Sequence, residues 1–108
     1  MTRSPKGRKT TGSAVTTIVS LRLYVAGNAP NSMQAIVNLE AICRKHLKGI
    51  HKLEIVDVIE QPLRAMGDGI LVTPSLTKLS PQPATCIVGN LGDTNKVLLA
   101  LGLAGKDT

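Results

Sequence analysis

The chain has 108 residues, enough for one domain and not two. Apolar residues make up 43% of it, in runs far short of the roughly 18 that a membrane-spanning helix needs, and two cysteines cannot form a disulfide scaffold or a zinc site by themselves. Net charge is +6, and Tyr24 is the only aromatic residue, so the core must be aliphatic and stacked nucleobases would find no platforms.

Residues 1–17 hold Arg3, Lys6, Arg8 and Lys9 and no carboxylate. Their polar composition cannot offset the entropy of ordering, which predicts a disordered basic tail ahead of a domain at 18–105. Such a tail can touch phosphates without reading sequence. The N-terminus lacks an apolar signal-peptide core, so the expected location is cytoplasmic.

Ile18 to Ala26 alternates Val19, Leu21, Leu23 and Val25 with Ser20, Arg22 and Tyr24, the period of a strand. Gly27-Asn28-Ala29-Pro30-Asn31 is a turn cluster. A helix follows, starting near Ser32, with Asn31 or Ser32 as its cap and Pro30 suited to its start. Met33, Ile36, Leu39, Cys43 and Leu47 form its apolar stripe. Arg44, Lys45 and Lys48 suit the negative end of its dipole, and Gly49 can close it. Leu53 to Ile59 is a nearly continuous apolar run, which predicts a strand covered on both faces and parallel to the first.

The second half is less regular. Gln61 to Asp68 can hold a short helix beginning at Pro62. Ile70-Leu71-Val72-Thr73 reads as a strand running into Pro74. Residues 78–83 read as a turn, and Cys86-Ile87-Val88 as a short buried strand. Asp93 can cap a last helix from Lys96 to Leu103, frayed by Gly102 and Gly105. The order β-α-β-(α)-β-β-α predicts an α/β thioredoxin-like fold, βαβ plus ββα. Thr73-Pro74 then takes the place of a cis proline ahead of the third strand.

The chemistry of a thioredoxin-like redox enzyme is missing. It needs a low-pKa cysteine where the first helix begins, and the turn at 27–32 has none. Cys43 and Cys86 read as packing residues. Ser32 has no histidine near it. His46 and His51 lack an acidic cluster for a metal, and Asp57 and Glu60 are too isolated for paired-carboxylate chemistry. No phosphate-binding glycine motif is present. These residues imply no catalytic centre, no cofactor and no metal.

Leu21-Arg22-Leu23-Tyr24-Val25-Ala26-Gly27-Asn28-Ala29-Pro30-Asn31-Ser32 closely resembles the start of the KaiB family of circadian clock proteins. The match continues through Ile55-Val56-Asp57-Val58, Pro62, Ala65 and the run from Asp68 to Leu76 that holds Thr73-Pro74. It then takes in Pro81, Pro83, Ile87-Val88-Gly89, Leu91 and Lys96-Val97-Leu98. Tyr24, Gly27, Pro30, Asn31, Thr73, Pro74 and Gly89 are its fold markers.

The resemblance implies a non-enzymatic protein that binds a KaiC-type hexameric ATPase. KaiA-like proteins and sensor kinases with KaiB-like input domains are further partners that it implies. It also implies a metamorphic chain, with a homotetrameric βαββααβ arrangement beside the thioredoxin-like monomer. Glu54, Pro62, Ala65, Asp68 and Ile70 are the partner-binding positions carried over from it. The alternative is a thioredoxin-fold adaptor for a sensor kinase or another signalling partner. Gly69 stands where the family often has Lys, Thr85 and Cys86 replace two basic residues, and Asn90 replaces Asp. The last helix has Ala100-Leu101-Gly102-Leu103 in place of Gly-Leu-Asp-Leu. These departures imply a divergent member whose setting is timekeeping or a stress or signalling response.

Overall fold

A computed structural model describes residues 18–102. The expected basic tail at 1–17, Leu103 of the expected last helix and the domain's expected end at 103–105 lie outside the described residues. The elements run β1 (Val19–Val25), α1 (Pro30–His46), β2 (His51–Asp57), α2 (Pro62–Gly67), β3 (Ser75–Ser80), β4 (Thr85–Val88) and α3 (Thr94–Ala100). One sheet has the order β2-β1-β3-β4. β1 pairs in parallel with β2 and antiparallel with β3, and β3 pairs antiparallel with β4. This is the expected βαβ plus ββα arrangement.

β1 lies inside the sheet, flanked by two strands, and its period-two pattern sets the core. Val19, Leu21, Leu23 and Val25 share a face and pack with Ala35, Leu39, Ile42, Cys43 and Leu47 of the α1 segment. Val97 and Leu101 of the α3 segment join the same cluster. Each fully buried leucine there contributes about 1.5–3 kcal/mol relative to an exposed one.

The structure rotates and extends the first helix relative to the sequence reading. α1 starts at Pro30, whose missing N–H suits the first helical position. Neither Asn31 nor Ser32 caps it; Ala29 occupies that place. Ser32 instead turns inward, where its Oγ accepts the Ala26 N–H at 2.9 Å. The buried stripe is therefore Ser32, Ala35, Leu39, Ile42 and Cys43, and Met33 is exposed. Gly49, at φ +76°, sits in the left-handed turn just after the helix.

Three further expectations are corrected. β2 is an edge strand, not one covered on both faces: Val56 is its only buried residue, and Ile55 is 40% exposed. The third strand begins after Pro74, so Ile70 to Thr73 is a loop and residues 78–80 are strand. Its β-branched run favours a strand locally, but no neighbour pairs with it. Pro74 sits buried at the entrance to β3, and the Thr73-Pro74 bond is cis, as expected. Cys86 is exposed on the other edge strand, β4, and is not a packing residue. Asp93 does cap α3, its Oδ1 accepting the Lys96 N–H at 3.1 Å.

Candidate partner-binding face

The sheet's second face is built from the alternate residues of β1 and β2. Register places Arg22 opposite Glu54 and Tyr24 opposite Val56. α2 is only six residues long, and Ala65 is its one buried residue. Tyr24, Val56 and Ala65 are all buried, apart from the main core cluster. The Tyr24 ring is 2% exposed, yet its hydroxyl donates to Asp68 Oδ2 at 2.7 Å. A buried phenol needs such a partner.

Around that hydroxyl, two arginines and two carboxylates form one network. Arg22 Nε meets Glu54 Oε1 at 2.9 Å, and Arg64 Nη2 meets the same oxygen at 2.8 Å. Asp68 Oδ2 lies 3.6 Å from Arg22 Nη1 and 3.9 Å from Arg64 Nε. Hydrogen bonds from Arg64, then Arg22, hold the Glu54 carboxyl below its ordinary pKa. Burial, then the bond to Asp68, pushes the Tyr24 phenol up. The network ties α2 and its following turn to β1 and β2.

The carried-over partner positions thus fall in one region, with different roles. Glu54 and Asp68 are joined through the arginines. Pro62 is exposed at the start of α2. Ile70 is half-buried, and its N–H donates to Ala65 O at 2.9 Å. Ala65 itself is buried, so it seats α2 rather than facing outward. Residues 59–72 also present Ile59, Leu63, Met66, Leu71 and Val72 to solvent, with Leu63 80% and Leu71 94% exposed. A segment that exposes several large apolar side chains is a candidate interaction surface. Sequence reasoning missed Arg22 and Arg64. The spacing of Arg64 and Asp68, four apart, was the one local signal for the pair.

The fold markers support this end of the sheet. Gly27, at φ +54°, donates its N–H to Asp57 Oδ1 at 3.1 Å, and Asp57 also accepts from Ile59 N at 2.9 Å. A side chain at Gly27 would be strained by the left-handed backbone, although Ile59 leaves it room at ordinary contact distance. Gly89 N donates to Pro74 O at 3.0 Å, tying the end of β4 to the start of β3. Asn31 is exposed in the first turn of α1.

The position of a redox cysteine in such a fold is filled by Gly27–Ser32, the turn and the first residues of α1. Cys43 is buried, and burial followed by the charge of Glu40 pushes its thiol up to about 11. That is the opposite of an activated thiol. His51 Nδ1 lies 2.9 Å from Leu47 O, a link between the α1 end and β2. Among the described residues, no helix is long and apolar enough to cross a membrane.

Comparison with known proteins gives a consistent result. The family model described as the KaiB domain matches residues 22–103. The circadian clock oscillator protein KaiB of Prochlorococcus marinus subsp. pastoris is 48% identical over 83 residues, covering 77% of this chain and 78% of that one. Its counterpart in Rippkaea orientalis is 46% identical, covering 77% and 80%. Among solved structures, the N-terminal domain of Synechococcus elongatus SasA superposes with a TM-score of 0.67 at 22% identity, over 92% of this chain and 97% of that one. Chloroplastic thioredoxin z gives 0.68 at 18% identity, over 79% and 76%. At these identities the structures speak for the thioredoxin-like fold alone.

Proposed function

This chain belongs to the KaiB family, and from that premise we propose that it is a non-enzymatic regulator that binds a KaiC-type hexameric ATPase and alters its phosphorylation and ATPase state. The observation that carries the reading is the exposed apolar set on residues 59–72, whose α2 the charge network ties to β1 and β2. Leu63, Met66 and Leu71 supply the desolvated centre of the contact. Pro62, Ile70, Asp68 and Glu54 border it, and Ala65 seats α2 from below. The protein acts in the cytoplasm, in circadian timing or in a stress or signalling output.

The same chain also populates the family's βαββααβ arrangement as a homo-oligomer. Sparse burial in the second half supports this, because two packings of one sequence need differ by only a few kcal/mol. Refolding then precedes binding, and association with the ATPase is slow.

Size-exclusion chromatography with light scattering tests both statements. The free protein is expected as a tetramer or dimer. Long incubation with the ATPase and ATP is expected to move it into the ring's peak as monomers. Leu63→Asp with Leu71→Asp, both at exposed positions, is expected to weaken the complex by about tenfold or more. A ring whose mass never changes overturns the reading. Capture of a sensor kinase in its place converts it to the adaptor.

A further inference from the structure

The two rims of the sheet are guarded differently. At one, β2 carries Lys52, Glu54 and Asp57 with His51, and such charges discourage a further strand from pairing. At the other, β4 reads Thr85-Cys86-Ile87-Val88, and residues 79–92 hold no Lys, Arg, His, Asp or Glu. Cys86 is exposed there, and Val88 is 58% exposed. Lys78, opposite Thr85 on β3, is buried. Asp93 and Lys96, which share a hollow with Ile87 and Val88, are one of each sign.

The backbone of β4 is only half used among the described residues. Gly89 N–H donates to Pro74 O, and hydrogen-bonded and non-bonded pairs alternate along an antiparallel ladder. Ile87, opposite Leu76, therefore turns its N–H and C=O toward β3. Cys86 and Val88 turn theirs to the open rim, two donors and two acceptors. The free stretch ends on both sides. Gln82 Oε1 accepts the Ala84 N–H at 3.1 Å, and Gly89, at φ +126°, lies beyond the strand.

We infer that β4 pairs antiparallel with β4 of a second copy of this chain, joining two four-stranded sheets edge to edge. A two-fold axis at Ile87 sets Cys86 opposite Val88 of the copy and uses both donors and both acceptors of each strand. Registers two residues away run into Ala84, whose N–H is taken, or Asn90, whose carbonyl already accepts from Asn38 Nδ2 at 2.8 Å. Charge selects a copy as the occupant. The chain carries +6, so two copies repel across most of their surface, but an uncharged rim meets its own image without like charges. A strongly charged partner finds no complement on it. At the axis the two half-buried Ile87 side chains meet on the core face. On the other face each exposed Val88 gains Cys86 of the copy, an apolar cross-strand pair.

The test is sedimentation equilibrium of the full chain. It should resolve a reversible step that doubles the mass, with a Kd on the order of 10–100 μM, the weak end expected for so small a contact. Val88→Lys and Cys86→Glu, both at exposed positions, should each raise that Kd by about tenfold or more. Mixing the two variants should bring it back to within about threefold of wild type, because the register sets the new carboxylate opposite the new ammonium. Leu99→Lys, exposed on α3, should stay within about twofold. Dithiothreitol should change nothing, since the two Cys86 Cα atoms stand diagonally, about 7–8 Å apart and outside disulfide reach. Circular dichroism checks that each variant is folded. Folded variants that associate as wild type does overturn the inference, because another surface then holds the copies together. So does a chain that never doubles its mass, a dimer that dithiothreitol dissolves, or a mixture no tighter than either variant alone. None of these readouts involves the ATPase, so the inference fails or stands apart from that reading.

Discussion

The two halves of the chain bury their apolar residues to very different extents. From β1 through β2, eleven hydrophobic residues are buried, among them Leu21, Leu23, Leu39 and Leu47. From α2 onward the described residues include five: Ala65, Leu76, Leu91, Val97 and Leu101. Among the described residues the second half leaves Leu63, Met66, Leu71, Val72, Val88 and Leu99 exposed, against Met33, Val37 and Ile55 from β1 through β2. Hydrophobic burial is the dominant favourable term in folding, so the first half carries the stability. The second half is attached by a few apolar residues, β3 pairing and the Tyr24–Asp68 network. A segment held this way can carry apolar surface for a partner and can rearrange at modest cost.

The sharpest way to break this comparison is to truncate one leucine in each half. Leu23→Ala, at a fully buried position of the inner strand β1, should cost toward the upper end of about 2–5 kcal/mol. Leu101→Ala, at the end of α3, should fall toward the lower end of that range. Urea midpoints for both variants decide it. Equal losses would mean that the halves share one core on equal terms.

Polar fastenings give the next contrast. In the first half, Ser32→Ala leaves the Ala26 N–H without its partner, and the serine it removes is fully buried. The expected loss is about 1–3 kcal/mol, the cost of an orphaned buried donor. Tyr24→Phe keeps the ring and removes only the hydroxyl bonded to Asp68, linking the first half to the second. Its expected loss is smaller, about 0.5–1.5 kcal/mol. It should also raise hydrogen exchange in residues 62–70 while leaving α1 unchanged. Uniform acceleration across both segments would show that the bond does not fasten α2 in particular.

How much of this was legible in the sequence follows the same division. β1 and α1 were legible because their periods of two and about 3.6 are carried by consecutive residues. The edge position of β2 was not. Leu53 to Val56 looks doubly covered, and only the pairing of β3 on the far side of β1 puts β2 at the rim. β3 was misplaced because Ile70 to Thr73 has stronger local strand character than Ser75 to Ser80, while the pairing with β1 chose the latter. At the candidate site, the family motif marked Asp68, and Glu54 was an extrapolation to the strand edge beside it. Arg22 meets both across 32 and 46 positions of chain, a relation no local pattern carries.

The smallest effect concerns the exposed part of that network, and its sign depends on pH. Glu54 is held below its ordinary pKa by Arg64 and Arg22. A carboxylate with a lowered folded pKa contributes stability that is full above its unfolded value and is lost as pH falls through the folded value. Glu54→Gln should therefore destabilise the chain slightly at neutral pH. The gap should close in acid, where wild-type Glu54 is protonated as well. Surface ion pairs contribute little, and Glu54 faces solvent, so the gap should be the smallest of the series. Urea midpoints of both proteins at about pH 7 and about pH 3 measure it. A gap of constant size at both values would mean that the arginines hold Glu54 through hydrogen bonds that its neutral form keeps. The second half would then be fastened to β2 by geometry rather than by charge.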